Sequence, residues 1–252
     1  KCLNTYSIEC KTNPVKGCET PEYWKQGIGN ISRILEPLTD ATFNQAIIDV
    51  LALDPIQGQY EVMPYGAIHE WDVSKVTDMS NAFDGRSSFN GDISNWNVSN
   101  VTNMRFMFFN ASSFTSDLSS WDVSKTTDVS AMFANASSFT SDLSMWNVSS
   151  VTDMSWMFQR ATLFTSDLSS WDVVTVANMQ YMFYVASSFI SDLSAWDVSN
   201  VTNMQYMFYD AASFNQDLSS WNVNPNVISC YEFDVLAPSW VLPKPNFTSC
   251  TI

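Results

Sequence analysis

The sequence predicts an α/β solenoid, a right-handed stack of about six to seven 25-residue units with a short parallel strand and a short helix in each. Three observations predict it. Seven tryptophans, Trp71, Trp96, Trp121, Trp146, Trp171, Trp196 and Trp221, recur at a fixed spacing of 25 residues. A unit of that length cannot bury its own apolar face and must stack on copies of itself. The rest of the unit recurs with the tryptophan: Trp96-Asn97-Val98-Ser99-Asn100-Val101-Thr102-Asn103-Met104 returns as Trp196-Asp197-Val198-Ser199-Asn200-Val201-Thr202-Asn203-Met204. The five cysteines avoid the repeats and sit only at the two ends.

Residues 1–70 read as an N-terminal, cysteine-containing cap. Within 23–54 a helical pattern is clearest where Thr39 or Thr42 precedes Phe43, Ala46, Ile47, Val50 and Leu51. Pro55, Gly58 and Pro64 break the chain before the first repeat. Residues 71–223 are the stack. In each unit an apolar stripe such as Val101, Met104, Met107, Phe108 and Ala111 predicts a helix, with Ser99 or Thr102 as N-cap. The segment Phe114-Thr115-Ser116-Asp117-Leu118-Ser119 has room for one strand. Strands about 4.8 Å apart make six units roughly 30 Å long. One strand and one helix per unit is the leucine-rich-repeat plan. Residues 224–252, marked by Pro225, Pro238, Pro243 and Pro245, form the C-terminal cap.

The chain has 252 residues, 46% hydrophobic and 14% aromatic, enough for a continuous core. A net charge of −15 leaves no basic patch for phosphates, which excludes nucleic acid and disfavours an anionic membrane surface. No run of about 18 apolar residues predicts a transmembrane helix. The chain begins at Lys1 and reads as a mature or trimmed form.

Cys230 and Cys250 are the natural C-terminal disulfide, and two of Cys2, Cys10 and Cys18 form another. The fifth thiol is then free or joined to another molecule. Such pairing implies an oxidising compartment. Eight Asn-x-Ser/Thr sequons agree, with Asn30, Asn110, Asn135 and Asn246 as glycosylation candidates. The expected location is secreted or cell-surface.

No proline lies between Pro64 and Pro225, and no glycine follows Gly91. The units therefore turn on Asn, Asp and Ser, whose side chains bond their own backbone. Every acid in residues 71–222 is Asp, never Glu, as turn geometry requires.

The unit Phe-x-x-Asp-Leu-Ser-x-Trp-Asp-Val-Ser-x-Val-Thr-Asn-Met-x-x-Met-Phe resembles the BspA-like repeats known from mycoplasma surface proteins as DUF285. The resemblance covers about residues 40–222 and leaves out the cysteine-bearing ends. It implies a leucine-rich-repeat-like solenoid on a secreted or surface protein, often linked to adhesion, and no catalytic residues.

The tryptophan column reads as a buried stacked spine, as do the phenylalanines from Phe89 to Phe214 and from Phe83 to Phe208. The column Asp92, Asp117, Asp142, Asp167, Asp192 and Asp217 has two readings. Each Asp caps its own turn, or the column binds Ca²⁺ between units, the one cofactor the chain suggests. The mixed Asp/Asn column from Asp72 to Asn222 swaps acid for amide, which says hydrogen bonding. Ice binding through Thr77, Thr102, Thr127, Thr152 and Thr202 is weakened by the break at Ala177. The lone His69 has no visible nucleophile partner, and no unit breaks the pattern with catalytic residue types, so the chain reads as non-enzymatic.

The outer helical face deviates most. Opposite the buried stripe lie Phe106/Phe109, Ala131/Ala134, Trp156/Gln159, Tyr181/Tyr184 and Tyr206/Tyr209, where solvated polar residues are expected. Phe106, Phe109, Trp156, Tyr181, Tyr184, Tyr206 and Tyr209 are therefore the predicted binding face for another protein or a glycan. A structural subunit of a larger assembly is a specific version of this reading.

Overall fold

A computed structural model describes residues 36–59, 65–227 and 229–248. Helix α1, Asp40–Leu53, is where the sequence places it. The Thr39 carbonyl accepts the N–H groups of Thr42 and Phe43, and the Thr42 hydroxyl accepts the Thr39 N–H at 3.0 Å. Its buried face is Phe43, Ala46, Ile47, Val50 and Leu51. The helix stops before Pro55, where the Asp54 carboxylate accepts the N–H groups of Ile56, Gln57 and Gln59. A short 3₁₀ helix, Ile68–Glu70, then leads into the first tryptophan.

Among the described residues, the repeats contain no helix, which corrects the expected helix over Val101–Ala111. That segment is a chain of overlapping turns. The N–H groups of Met107, Phe109 and Ala111 return to the carbonyls of Met104, Phe106 and Phe108 at 3.0–3.2 Å. The alternate N–H groups of Met104, Phe106, Phe108 and Asn110 leave the unit and reach the carbonyls of Asp128, Ser130, Met132 and Ala134 at 2.8–2.9 Å. Every second donor is thus spent on the next unit. Turns that close over three residues place positions three and four apart on one side, so their burial pattern imitates a helix. The predicted stripe is buried, with Val101, Met104, Met107, Phe108 and Ala111 all at 0–1% exposure, but its backbone conformation is different.

The expected strand is also displaced. Isolated parallel bridges link Asp78, Asn103, Asp128, Asp153, Asn178, Asn203 and Ser229 in succession, inside the segment read as helical. The Phe114–Ser119 segment joins its neighbours through side chains instead. Leu118 N–H donates to the Ser141 hydroxyl at 2.8 Å, and Thr115 N–H to the Asn90 side-chain oxygen at 2.8 Å.

The absence of glycine after Gly91 does not remove left-handed backbone. Two positions per unit have positive φ: the column Asn81, Phe106, Ala131, Trp156, Tyr181, Tyr206 and Glu232, and the column Gly85, Asn110, Asn135, Arg160, Val185, Asp210 and Leu236. Each is the third residue of a turn such as Met104–Met107, where a type II geometry requires φ > 0 and ordinarily selects Gly or Asn.

The core is a set of parallel ring columns. Trp71, Trp96 and Trp121 stack at centroid distances of 6.0 and 6.4 Å, with exposures of 3–4%. Each indole N–H finds a backbone acceptor, as Trp146 does at the Leu118 carbonyl, 2.9 Å away and 28 residues earlier. Phe108 stacks on Phe83, Phe133 and Phe114 at 5.3, 5.6 and 4.0 Å. At the N-terminal end Phe43 of α1 packs edge-on against Trp71 and Trp96.

The expected boundary at 223/224 needs correction. Met204, Tyr206, Phe208 and Asp210 donate to the carbonyls of Ser229, Tyr231, Phe233 and Val235, so the ladder runs on through the segment read as a cap. Beyond it Trp240 covers the last rings, packing edge-on against Phe208 and Phe214. No helix of the described residues is long and apolar enough to cross a membrane.

Candidate binding face

The predicted face lies along the turn ladder and not on the outside of helices. Phe106, Trp156, Tyr181 and Tyr206 occupy the first left-handed column, at φ of 55–62°. A side chain there leaves the stack away from the core, because its neighbours at 104, 107 and 108 turn inward. All seven predicted residues are half-buried, none fully covered. The structure brings them together as two stacks. Trp156 lies on Tyr181 at 4.0 Å and Tyr181 on Tyr206 at 4.6 Å, while Tyr184 lies on Tyr209 at 5.0 Å. Phe106 and Phe109 meet edge-on at 5.3 Å in a separate pair.

Ala131 and Ala134 interrupt these columns. A groove of about 540 Å³ lies over Ala131, bounded by Phe106 and Phe109 on one side and Trp156 and Gln159 on the other. Its rim is polar: Arg105, Asp128, Asp153, Asn178 and Gln180. The Arg105 guanidinium sits 4.9 Å from the Phe106 ring centroid. Partial burial raises Tyr181 above the ordinary phenol value, and neighbouring Tyr206, Tyr184 and Glu232 add to it. Burial followed by Glu232 does the same for Tyr206. Both phenols therefore stay neutral donors at physiological pH.

Arg105, Asp128, Asp153, Asn178 and Gln180 were missed as site residues. For Asp128, Asp153 and Asn178 the signal was present, because Asp78, Asn103, Asp128, Asp153, Asn178 and Asn203 form a third 25-residue Asp/Asn column, whereas Arg105 and Gln180 lie two positions on in a phase of mixed residue type. Each of these side chains accepts the N–H two residues on, as Asp128 does from Ser130 at 2.8 Å and Asp153 from Ser155 at 2.8 Å.

The other predicted residues lie elsewhere. In the Asp92–Asp217 column each carboxylate accepts the N–H of the Ser two residues on, at 2.9–3.0 Å. Asp117, Asp142 and Asp167 also accept the hydroxyls of Ser141, Ser166 and Ser191 from the next unit, at 3.1–3.2 Å. Each hydroxyl thus donates to the carboxylate one unit back and accepts the N–H of the Leu beside it, as Ser141 does from Leu118. The Ser119 N–H and then its hydroxyl hold Asp117 below the ordinary carboxylate value, against partial desolvation and the Asp142 charge. Among the described residues no group of three or more His, Cys, Asp or Glu is placed to hold a metal ion.

The threonine column is spent along the stack: Thr102, Thr127 and Thr152 hydroxyls donate to the carbonyls of Thr77, Thr102 and Thr127. Asn110 and Asn246 are exposed, and Asn135 is half-buried with its amide donating to Asn110 at 2.9 Å. Asn110 and Asn135 sit at left-handed positions of the turn ladder. Cys230 is buried and disulfide-bonded. Cys2, Cys10, Cys18, Cys250 and Asn30 lie outside the described residues.

No curated protein and no solved structure matches the chain. The family model described as "Mycoplasma protein of unknown function, DUF285" matches residues 57–166 and 139–234, which together run over the repeats and the extra ladder segment. Both the recurring unit and this match say that the chain belongs to the DUF285 family.

Proposed function

We propose that this chain is a non-enzymatic binding or scaffold solenoid, secreted or held at a cell surface. It acts through protein–protein or protein–glycan contacts along the turn ladder. The observation that carries this reading is the conformation of the aromatic column. Phe106, Trp156, Tyr181 and Tyr206 hold φ of 55–62°, a region that costs a bulky L-residue about 1–2 kcal/mol each. Asn occupies the same column at Asn81 without that cost. Stacking of Trp156, Tyr181 and Tyr206 on one another offsets part of that strain, yet rings held half-exposed at so unfavourable a φ point to contact with a partner. Eight sequons and cysteines confined to the ends support an extracellular setting.

The test replaces Trp156, Tyr181 and Tyr206 together with Asn. Wild type and triple variant are compared on a glycan array and against a panel of purified extracellular-matrix proteins. The expected result is a binder on one of the two surfaces whose signal the triple variant loses while it remains folded at the assay temperature. Equal binding by the triple variant, or silence of wild type on both surfaces, overturns the reading.

A further inference from the structure

The interruption at Ala131 is a place where the aromatic column lacks one ring. The column otherwise carries Phe106, Trp156, Tyr181 and Tyr206 in successive units. One unit step between stacked rings is 4.0–4.6 Å, so Phe106 and Trp156, two units apart, bracket a slot of about 9 Å. That spacing is enough for one further ring between them, the place a side chain at 131 would fill. Trp156 stacks on Tyr181 with one face, and its other face has no ring partner among the described residues. Ala131 is the floor, at 2% exposure and φ of 53°.

The polar rim decides what kind of ring fits. The Arg105 guanidinium and the Gln159 side-chain amide make no hydrogen bond among the described residues, and both residues line the groove. Asp128 accepts Ser130 N–H and hydroxyl through Oδ1 only, leaving Oδ2 open. Donors and acceptors thus converge from both sides on one ring-wide gap. A partner's phenyl or indole ring has at most one polar group to answer them. A hexopyranose has hydroxyls around its whole edge, each both donor and acceptor, and an apolar C–H face that stacks on aromatics. The rim carries both signs of charge, so neither an acidic nor a basic sugar is favoured.

We infer that the Phe106–Ala131–Trp156 slot is a subsite for one neutral hexopyranose unit of a glycan, sandwiched between the two rings and hydrogen-bonded by Arg105, Gln159 and Asp128. This deepens the binding reading above and rests on it. The experiment titrates the full chain with linear hexasaccharides of β-1,4-glucose, β-1,3-glucose and α-1,6-mannose, by calorimetry and saturation-transfer NMR. Ala131→Tyr is the decisive variant, since Tyr181 and Tyr206 already hold that conformation and a tyrosine there completes the stack. The expected result is binding of at least one hexasaccharide by wild type, weakened at least about tenfold by Ala131→Tyr at undiminished Tm. Trp156→Ala weakens it by a similar factor. Undiminished affinity in Ala131→Tyr, or no hexasaccharide bound by wild type, overturns the subsite. The wider face stands in either case if the Asn triple variant still abolishes binding to an array glycan or a matrix protein.

Discussion

The carboxylate of Asp40 does for Thr77 what the backbone of one unit does for the next. Inside the stack the Thr77 carbonyl accepts Thr102 N–H at 2.8 Å, the Thr102 hydroxyl at 3.3 Å and Asn103 N–H at 3.4 Å. At the N-terminal end no earlier repeat exists, and the Asp40 carboxylate accepts Thr77 N–H at 2.7 Å, the Thr77 hydroxyl at 2.7 Å and Asp78 N–H at 3.1 Å. One side chain of α1 thereby stands in for a missing unit and joins the helix to the stack.

Removing that carboxylate orphans all three donors. Asp40 is solvent-exposed, so water recovers part of the loss. Asp40→Ala is expected to lower stability by about 1–2 kcal/mol, read as a Tm fall of roughly 2–6 °C. Hydrogen exchange should quicken first at Thr77 and Asp78. Unchanged exchange there means the cap is ornamental.

The tryptophan spine is held by polar as well as apolar contact. Trp146→Phe keeps a ring in the column but deprives the buried Leu118 carbonyl of its indole donor. The expected cost is about 0.5–1.5 kcal/mol in chemical denaturation, because the Leu118 carbonyl keeps the Trp121 N–H at 3.1 Å and loses one of two donors. Trp146→Ala removes the ring too and should cost about 3–5 kcal/mol. Near-equal stability of Trp146→Phe and wild type rules out the hydrogen-bond contribution.

Val185 holds φ of 56°, where a β-branched residue is badly placed and where equivalent positions carry Gly85, Asn110 and Asn135. Val185→Asn should raise stability by about 1 kcal/mol, a Tm gain of roughly 2–4 °C. A fall in Tm shows that the half-buried isopropyl group packs better than its backbone is strained.

Acid should unfold the stack through its Asp columns. Asp142 and Asp167 are held below the ordinary carboxylate value by the N–H and then the hydroxyl of Ser144 and Ser169, against some desolvation. A carboxylate whose folded pKa is depressed contributes stability present above its unfolded pKa of about 3.9 and lost as pH falls through the folded value. Thermal melts should be flat above about pH 5 and drop progressively below about pH 4. Ser144→Ala and Ser169→Ala should together shallow that drop. Melts that stay flat down to about pH 3 overturn this account.

The sequence by itself determined the period, the burial and helix α1. A 25-residue recurrence places Trp96 over Trp121 whatever the path between them, and apolar residues at Val101, Met104, Met107 and Phe108 must face inward in any compact unit. Thr39 and the Pro55 stop are local signals, readable within one turn of chain. The protruding aromatics were legible too, because they occupy positions that the buried stripe leaves over. Only the tertiary structure decided the backbone. A helix over Val101–Ala111 keeps its N–H groups within the segment, whereas alternate N–H groups in the stack reach carbonyls 24 residues on, as Phe106 does to Ser130. That choice depends on a neighbour lying alongside, which no window of the sequence contains. The same neighbour holds Phe106, Trp156 and Tyr181 at positive φ, where local preference places Gly or Asn. The slot over Ala131 is likewise a relation between three units, visible once the rings on either side are in place.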